Sequence, residues 1–388
     1  MAAVVGRTRF RRAARGLAVL AAVALALFLV QSARVAYPVA ALSFTPKPGT
    51  WRGSFHVHTV ASDGTGTFAD VVAAARANGS AWVIVTDHNV IDGPLARVVD
   101  GVLVVSSVEV STGDGHATAL GAYRALTRPE RRARTALGTI RALGGTPIAA
   151  HPLARKRPYV FLDDPLLGGL EVLSADQEFR DALVEPGRLL PAALAYPVNP
   201  LHAIMRLLKR PDRTLARWDE MLATRRMAGL CAVDAHGRPS YSAMFAALQM
   251  HAEVGHAPTG DAAADAAALV SALTGGRAFC GIEAIGAAGG FAFTGADDDG
   301  SAGMGGTLRA DRHAVLRIEL AYPVLPDGAR PVMYCGGTQV ELVGVLTASG
   351  WSYEHRPASA GACRVEVLVE NDEGGTWPWI LSNPIYVQ

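Results

Sequence analysis

Short, unbroken apolar runs alternating with amphipathic stretches constrain this chain more than any other feature. Residues 54–58, 81–86, 102–110, 147–150, 170–173 and 230–233 read as strands, and 68–78 and 128–143 carry helical periodicity. A strand that is apolar on both faces is buried on both faces, which requires helices packed on each side of a parallel sheet. The number of such units predicts an α/β fold closed into a barrel. From about residue 286 the texture changes. Gly- and Asp-rich turns there separate alternating runs at 314–321, 364–369 and 379–387, the pattern of a small antiparallel β-sandwich-like domain. Helical material with Pro breaks fills 175–227. Within it, residues 185–212 read as a lid, a membrane-leaning surface, or extra helices that close the barrel. The 388 residues therefore divide into an N-terminal segment (1–35), a Pro-containing spacer (36–50), a barrel (51–285) and a C-terminal β domain (286–388).

The N-terminal segment bears on compartment. Arg7, Arg9, Arg11, Arg12 and Arg15 precede an apolar run from Leu17 to Val30. Roughly 14 apolar residues after a basic flank fit a secretory signal better than a full span of about 20, and an uncleaved signal anchor is the alternative. Either reading exports the rest of the chain to a periplasmic or extracellular face, with the inner membrane as a partner if the segment stays uncleaved. The balance of 36 Lys and Arg against 35 Asp and Glu argues against a nucleic-acid-coating protein. Four Cys cannot build a disulfide scaffold. Cys335 and Cys363 are placed to pair with each other or to stay free, whereas Cys231 and Cys280 read as buried thiols.

Chemistry gathers at the strand ends. His56 and His58 close the first strand with period-2 spacing, which places both imidazoles on one face. Asp63 follows in Ser62-Asp63-Gly64. His88 ends the second strand, Glu109 the third, and His116 lies in the turn after it. His151 and the pair Asp234 and His236 end later strands. Strand ends on one side of a barrel converge, so these nine nitrogen and oxygen donors are expected to form a multinuclear metal site. Such donors suit Zn, Mn or Fe. His202, His251, His256, His313 and His355 lack this context; His251 and His256 are expected on a helix, and all five as structural or surface residues. No G-x-S-x-G string offers a competing serine nucleophile. Gly303-Met304-Gly305 lacks the strand-to-helix setting of a phosphate cradle, and Asp297-Asp298-Asp299 reads as a solvated turn.

The strings His56-Val57-His58-Thr59, Ser62-Asp63-Gly64, Thr86-Asp87-His88-Asn89, His151-Pro152 and Asp234-Ala235-His236, in this order, resemble the polymerase and histidinol phosphatase (PHP) superfamily. Glu109 with Gly115-His116-Ala117-Thr118-Ala119-Leu120-Gly121, and the ending from Trp379 to Val387, are similar to its carbaryl-hydrolase branch. The resemblance spans about residues 51 to 388. It implies a distorted (β/α)7 barrel holding two or three divalent ions per chain. His56, His58, Glu109 and Asp234 would hold the first, with Glu109 bridging to a second completed by His116 and His151. Asp63, His88 and His236 would hold the third. Glu109, Asp234 and His236 would then be the catalytic residues, and a hydroxide bridging two ions would be the nucleophile. Ser106-Ser107-Val108 departs from the Gly-Ile pair commoner before the glutamate, a matter of local packing.

Arg155, Lys156 and Arg157 follow His151, and Arg238 follows His236. Arg155, Arg157 and Arg238 are therefore candidate substrate-binding residues for an anion, or else members of solvated loops. The leading expectation is an exported phosphoesterase acting on a small phosphorylated ester. The alternatives are a carboxylic or carbamic ester hydrolase and a non-catalytic envelope binding module.

Overall fold

The computed structural model describes residues 2–371 and 375–388, and of residues 2–13 and Ala133 the backbone alone, so the side chains of Arg7, Arg9, Arg11 and Arg12 lie outside the described residues. One unbroken helix, Ala2–Arg34, opens the chain. Its stretch Ala14–Arg34 is 21 residues long and apolar enough to cross a membrane by length and composition. It exceeds the fourteen-residue run because the helix also includes residues 14–16 before the run and 31–34 after it.

Three parallel strands, Thr50–Val57, Trp82–Val85 and Val102–Ser106, lie side by side toward one edge of a 12-stranded mixed sheet. Their side chains are almost all buried, as runs apolar on both faces require. The helix Phe68–Ala77 buries Val71, Val72, Ala74 and Ala75 as one stripe and starts at a capping box, in which Thr67 and Asp70 satisfy each other's backbone N–H groups. A second sheet runs Glu109–Thr112, Gly115–Leu120, Thr146–Ala150, Gly169–Ser174 and Ala228–Ala232 in spatial order, the last three parallel. A third, antiparallel sheet contains Phe291–Asp297, Val315–Leu320 and Gly350–His355. Leu316, Ile318 and Leu320 face its core while Arg317 and Glu319 face solvent.

The expected (β/α)7 barrel is not confirmed. The first two sheets meet at two isolated bridges, Val57 with Ala235 and His88 with Glu109, and through the backbone hydrogen bonds around them, but no closed barrel exists among the described residues. Two misread segments explain this. Residues 102–110 are not one strand: the chain breaks at Ser107–Val108, and Glu109 opens an antiparallel hairpin to Gly115–Leu120. His251, expected on a helix with His256, lies instead in the strand Gln249–Glu253, which pairs antiparallel with Thr50–Val57. From there the large sheet extends outward through Ala278–Gly281 to Thr376–Ser382 and Gly361–Glu370. His251 lies in the inserted strand, buried against Glu283 at 2.7 Å. Asn383 locks the end of the chain inward: its amide bonds both backbone groups of Gly229, at 2.7 and 2.8 Å, and the carbonyl of Ala278 at 2.8 Å.

Both cysteine pairs are disulfides. Cys335–Cys363 links facing positions of two paired strands. Cys231–Cys280 corrects the reading of those residues as thiols: it joins the second sheet to the first across 49 residues of chain, a proximity that neither strand reveals alone.

The segment after Gly169–Ser174 is a helical insert, Ala175–Ala182, Pro186–Ala195, Pro200–Leu207 and Asp212–Leu222. The N-terminal helix rests on it. Phe28 packs against Ala182, Ala192, Ala195, Ala203 and Leu207, and the Asn199 amide donates to the carbonyls of Ser32 and Val35 at 3.1 and 3.0 Å.

Candidate metal centre

The sequence places its polar donors at strand ends, and the backbone bends sharply there to aim them inward. His56, His151 and Asp234 adopt left-handed backbone at φ 70°, 30° and 48°. For residues other than glycine such geometry costs on the order of 1–3 kcal/mol each and persists only where the surroundings enforce it. At His56 a register shift accompanies the bend, so His56 and His58 meet through a bulge rather than through simple alternation. Glu109 and His116 meet diagonally across the hairpin whose register pairs Glu109 with Thr118.

Four donors form the inner cluster. His56 Nε2 lies 3.0 Å from His58 Nε2, and Glu109 Oε2 lies 3.2 Å from each. Asp234 Oδ1 is 3.3 Å from His56 Nε2 and 3.2 Å from His58 Nε2. Donors at the corners of a tetrahedron with bonds near 2.0–2.1 Å sit roughly 3.3–3.4 Å apart, so the residues present fit a divalent ion. The second oxygen of Glu109 faces His116 Nδ1 at 2.9 Å and His151 Nε2 at 3.1 Å. The other ring nitrogens of these two histidines are buried without a hydrogen-bond partner. Asp63 lies 3.5 Å from His58 Nδ1, 3.5 Å from His236 Nε2 and 3.6 Å from His88 Nε2. His56, His58 and Glu109; His58, Asp234 and His236; His58, Asp63 and His88; and His88, Glu109 and His116 each bring their donor atoms within 4.8 Å of one another, so each group can hold a metal ion.

The electrostatics are those of crowded acids and imidazoles. Burial opposes charge on His56, but Glu171, Asp234 and Glu109 outweigh it and hold the ring well above its ordinary range. Burial likewise opposes charge on His58 and His151, yet Asp234 and Glu109 beside the first and Glu109 beside the second push both up to about 9. Burial raises the Glu109 and Asp234 carboxyls, but His56 and its neighbours hold both well below the usual carboxylate range. His88 moves the other way, lowered mainly by burial.

Sequence reasoning missed Glu171, which is buried on Gly169–Ser174. One of its oxygens accepts from His56 Nδ1 at 2.5 Å and the other from the backbone N–H of His151 at 2.7 Å. In the neutral ring that binds a metal, the first bond would keep the proton on Nδ1 and turn the Nε2 lone pair of His56 to the cluster. A lone acid inside an apolar strand was the available signal. Asp87 was quoted only as part of a string, yet it accepts from Thr59 N at 2.8 Å, Thr59 Oγ1 at 2.7 Å and Ser62 Oγ at 2.6 Å, which fixes the loop carrying Asp63. Asp176 and Arg180, also missed, form an ion pair on the first insert helix. The charges of Asp176, Asp234 and Asp63 offset burial and raise the Arg180 guanidinium.

The proposed substrate-binding residues separate. Arg238 lines a crevice with Asp234, His236, Asp176 and Phe179. Arg155 lines a different cleft with Gln177, Lys209 and Arg213. Arg157 is exposed beyond it.

No protein-family model matches the chain, and neither does any curated protein. Among solved structures it is similar to a two-domain protein from Bacteroides vulgatus described as containing a predicted PHP-like metal-dependent phosphoesterase. The identity is 13%, with 89% of this chain and 99% of that one covered, at a TM-score of 0.38. A likeness this loose assigns neither fold nor activity.

Proposed function

We propose that this protein is a metal-dependent hydrolase acting on phosphate esters, anchored by its N-terminal helix with the remaining residues outside the cytosol. The observation that carries the reading is the inner cluster, in which His56, His58, Glu109 and Asp234 present donor atoms 3.0–3.3 Å apart. These four would hold one ion, Glu109 with His116 and His151 a second, and Asp63 with His88 and His236 a third. Bound there, divalent ions neutralise charge on phosphoryl oxygens and lower the pKa of water toward neutrality.

The chain's own residues do the rest. Glu171 fixes the His56 ring, and ionised Glu109 and Asp234 supply the negative charge that would hold the ions. Arg238 and Arg180 offer guanidinium groups to the non-bridging oxygens of an anionic substrate, which favours phosphate over carboxylic esters. His236, its Nδ1 donating to the Asp234 carbonyl at 2.9 Å, turns Nε2 toward Asp63 beside the Arg238 crevice. Water adds to phosphorus, the ester P–O bond breaks, and the alcohol leaves with the proton that the water gives up.

The motif strings support placement in the PHP superfamily, as a member whose sheets stay open. Export is supported by the 21-residue apolar helix and by two disulfides, bonds rare in reducing cytosol. Metal analysis of the full-length protein, followed by aryl phosphates and aryl esters before and after chelation, tests the reading. Two or three ions per chain and phosphate turnover lost on chelation are expected. Turnover of aryl esters alone would replace it with carboxylic or carbamic ester hydrolysis. No turnover with Zn, Mn or Fe would favour a non-catalytic module.

A further inference from the structure

The loop after His151 and the helical insert enclose a cleft of about 290 Å³, separate from the Arg238 crevice. The helix Asp212–Leu222 turns its first residues toward it, among them Arg213 and Thr214. The leading N–H groups of a helix need acceptors, and Pro211 at the cap position has no side-chain acceptor to offer. Accordingly, the N–H groups of Arg213 and Thr214 have no partner among the described residues. Thr214 lines the cleft and is only 5% exposed, yet its hydroxyl also lacks a partner among those residues. A buried free hydroxyl beside two free N–H groups, at the positive end of a helix, suits an anion. Arg155 from the loop and Arg213 from the helix line the same cleft, and neither side chain has a partner among the described residues. Most of the acids there are committed. Glu178 and Glu185 accept from Arg188 at 3.0 and 2.9 Å, and Asp212 pairs with Arg210. Asp181 is the unpaired acid of the cleft, so two free guanidinium groups stand against one free carboxylate.

The cleft lies on the metal centre's side of the fold. Gly169–Ser174 and Ala228–Ala232 are parallel, so the helix that returns the chain between them begins at the end where Ser174 and Asp234 stand. The His151 carbonyl accepts from the Ala154 N–H at 3.0 Å. Such a turn keeps its end Cα atoms within about 7 Å, which puts the Arg155 Cα within about 11 Å of that of His151. On the insert, Asp176 lines the crevice beside Asp234 while the next residue, Gln177, lines the cleft.

We infer that this cleft holds a second phosphate of the substrate, so that the preferred ester carries a distal phosphate besides the scissile one. The distal group is received by the N–H groups and hydroxyl at the start of Asp212–Leu222 and by Arg155 and Arg213, whose guanidinium groups match phosphate oxygens in pairs. The role of the scissile phosphate rests on the hydrolase reading above, whereas the distal site rests on the cleft's own groups.

Two measurements on the full-length, metal-loaded protein test it. In the first, arginines are modified with phenylglyoxal and mapped by mass spectrometry, in the presence of alkylene bisphosphonates from tetramethylene to decamethylene, butylphosphonate or inorganic phosphate. The best bisphosphonate should protect Arg155 and Arg213 at about tenfold lower concentration than butylphosphonate or phosphate. Absence of protection at both arginines would overturn the inference. Equal protection by inorganic phosphate would overturn it too, by assigning the cleft to a separate anion. The second compares kcat/KM for the alkanediol bisphosphate of the best spacer and for its monophosphate. The bisphosphate should be favoured about tenfold or more, and an Arg155→Gln/Arg213→Gln double variant should lose that preference, whereas a general defect would lower both rates together. Equal rates for the two esters in the parent protein would again overturn it. Protection at the cleft with no turnover of either ester would retain the anion site and defeat the hydrolase reading instead.

Discussion

Glu171 touches no candidate donor atom aimed at the cluster centre, yet it holds the His56 ring by one oxygen and the backbone of His151 by the other. Removing its charge while keeping its shape should loosen both. Glu171→Gln is expected to weaken metal affinity about 10–100-fold with the fold retained, read by titration against a chelating dye and by circular dichroism. Glu109→Gln should be more severe, lowering bound metal and rate together; unchanged values would remove Glu109 from the centre. The crowded histidines give a further prediction. His58 and His151, at about 9 when folded, exceed an unfolded value of about 6.5. Their contribution is fully present below the unfolded value and lost as pH rises through the folded one. The Tm of chelator-treated protein should therefore fall between about pH 6.5 and 9. Metal should flatten this trend, because it replaces the protons. A flat profile in the chelated protein would contradict the charge pairing described.

At the scale of elements, polarity patterns revealed where strands stop but not how they pair. The runs ending at His58, His88, His151 and Asp234 were legible because apolar side chains give way abruptly to polar ones. The hairpin from Glu109 to Leu120 was hidden, since Glu109 follows an apolar run without a turn residue and opens the next strand instead of closing the last. Gln249–Glu253 was hidden because Gln, His and Glu at alternate positions weaken the apolar signal, although His251 and Gln249 are both buried with partners. Glu171 had no spacing motif to announce it, and its role depends on two histidines far away in the chain. Cys231 and Cys280 were likewise illegible, because their strands belong to different sheets. That cross-sheet bond is expected to matter: a Cys231→Ala/Cys280→Ala double variant should lose about 2–5 kcal/mol by urea unfolding, and no loss would show that packing alone holds the sheets together.

For the molecule as a whole, the apolar N-terminal helix and the mixture of strands and helices were readable from texture, whereas closure was not, since it depends on which sheet edge finds a partner. Here the large sheet is prolonged by the last strands of the chain, with Ala278–Gly281 pairing to Thr376–Ser382. Asn383, 1% exposed, secures that arrangement through Gly229 and Ala278. Asn383→Ala would strand both buried backbone groups of Gly229, and a loss of about 1–3 kcal/mol is expected by chemical denaturation. The same clamp bears on the order of events during synthesis. Gly229 lies five residues before Asp234, and its backbone is satisfied by a side chain 154 residues further along the chain. The donors at His56 and His58 are made early, but the strand leading to Asp234 cannot settle until Asn383 has been made. Assembly of the centre therefore waits on a contact of long sequence separation, and a chain that stops before Asn383 would carry every metal-binding motif and still be slow to bring them together.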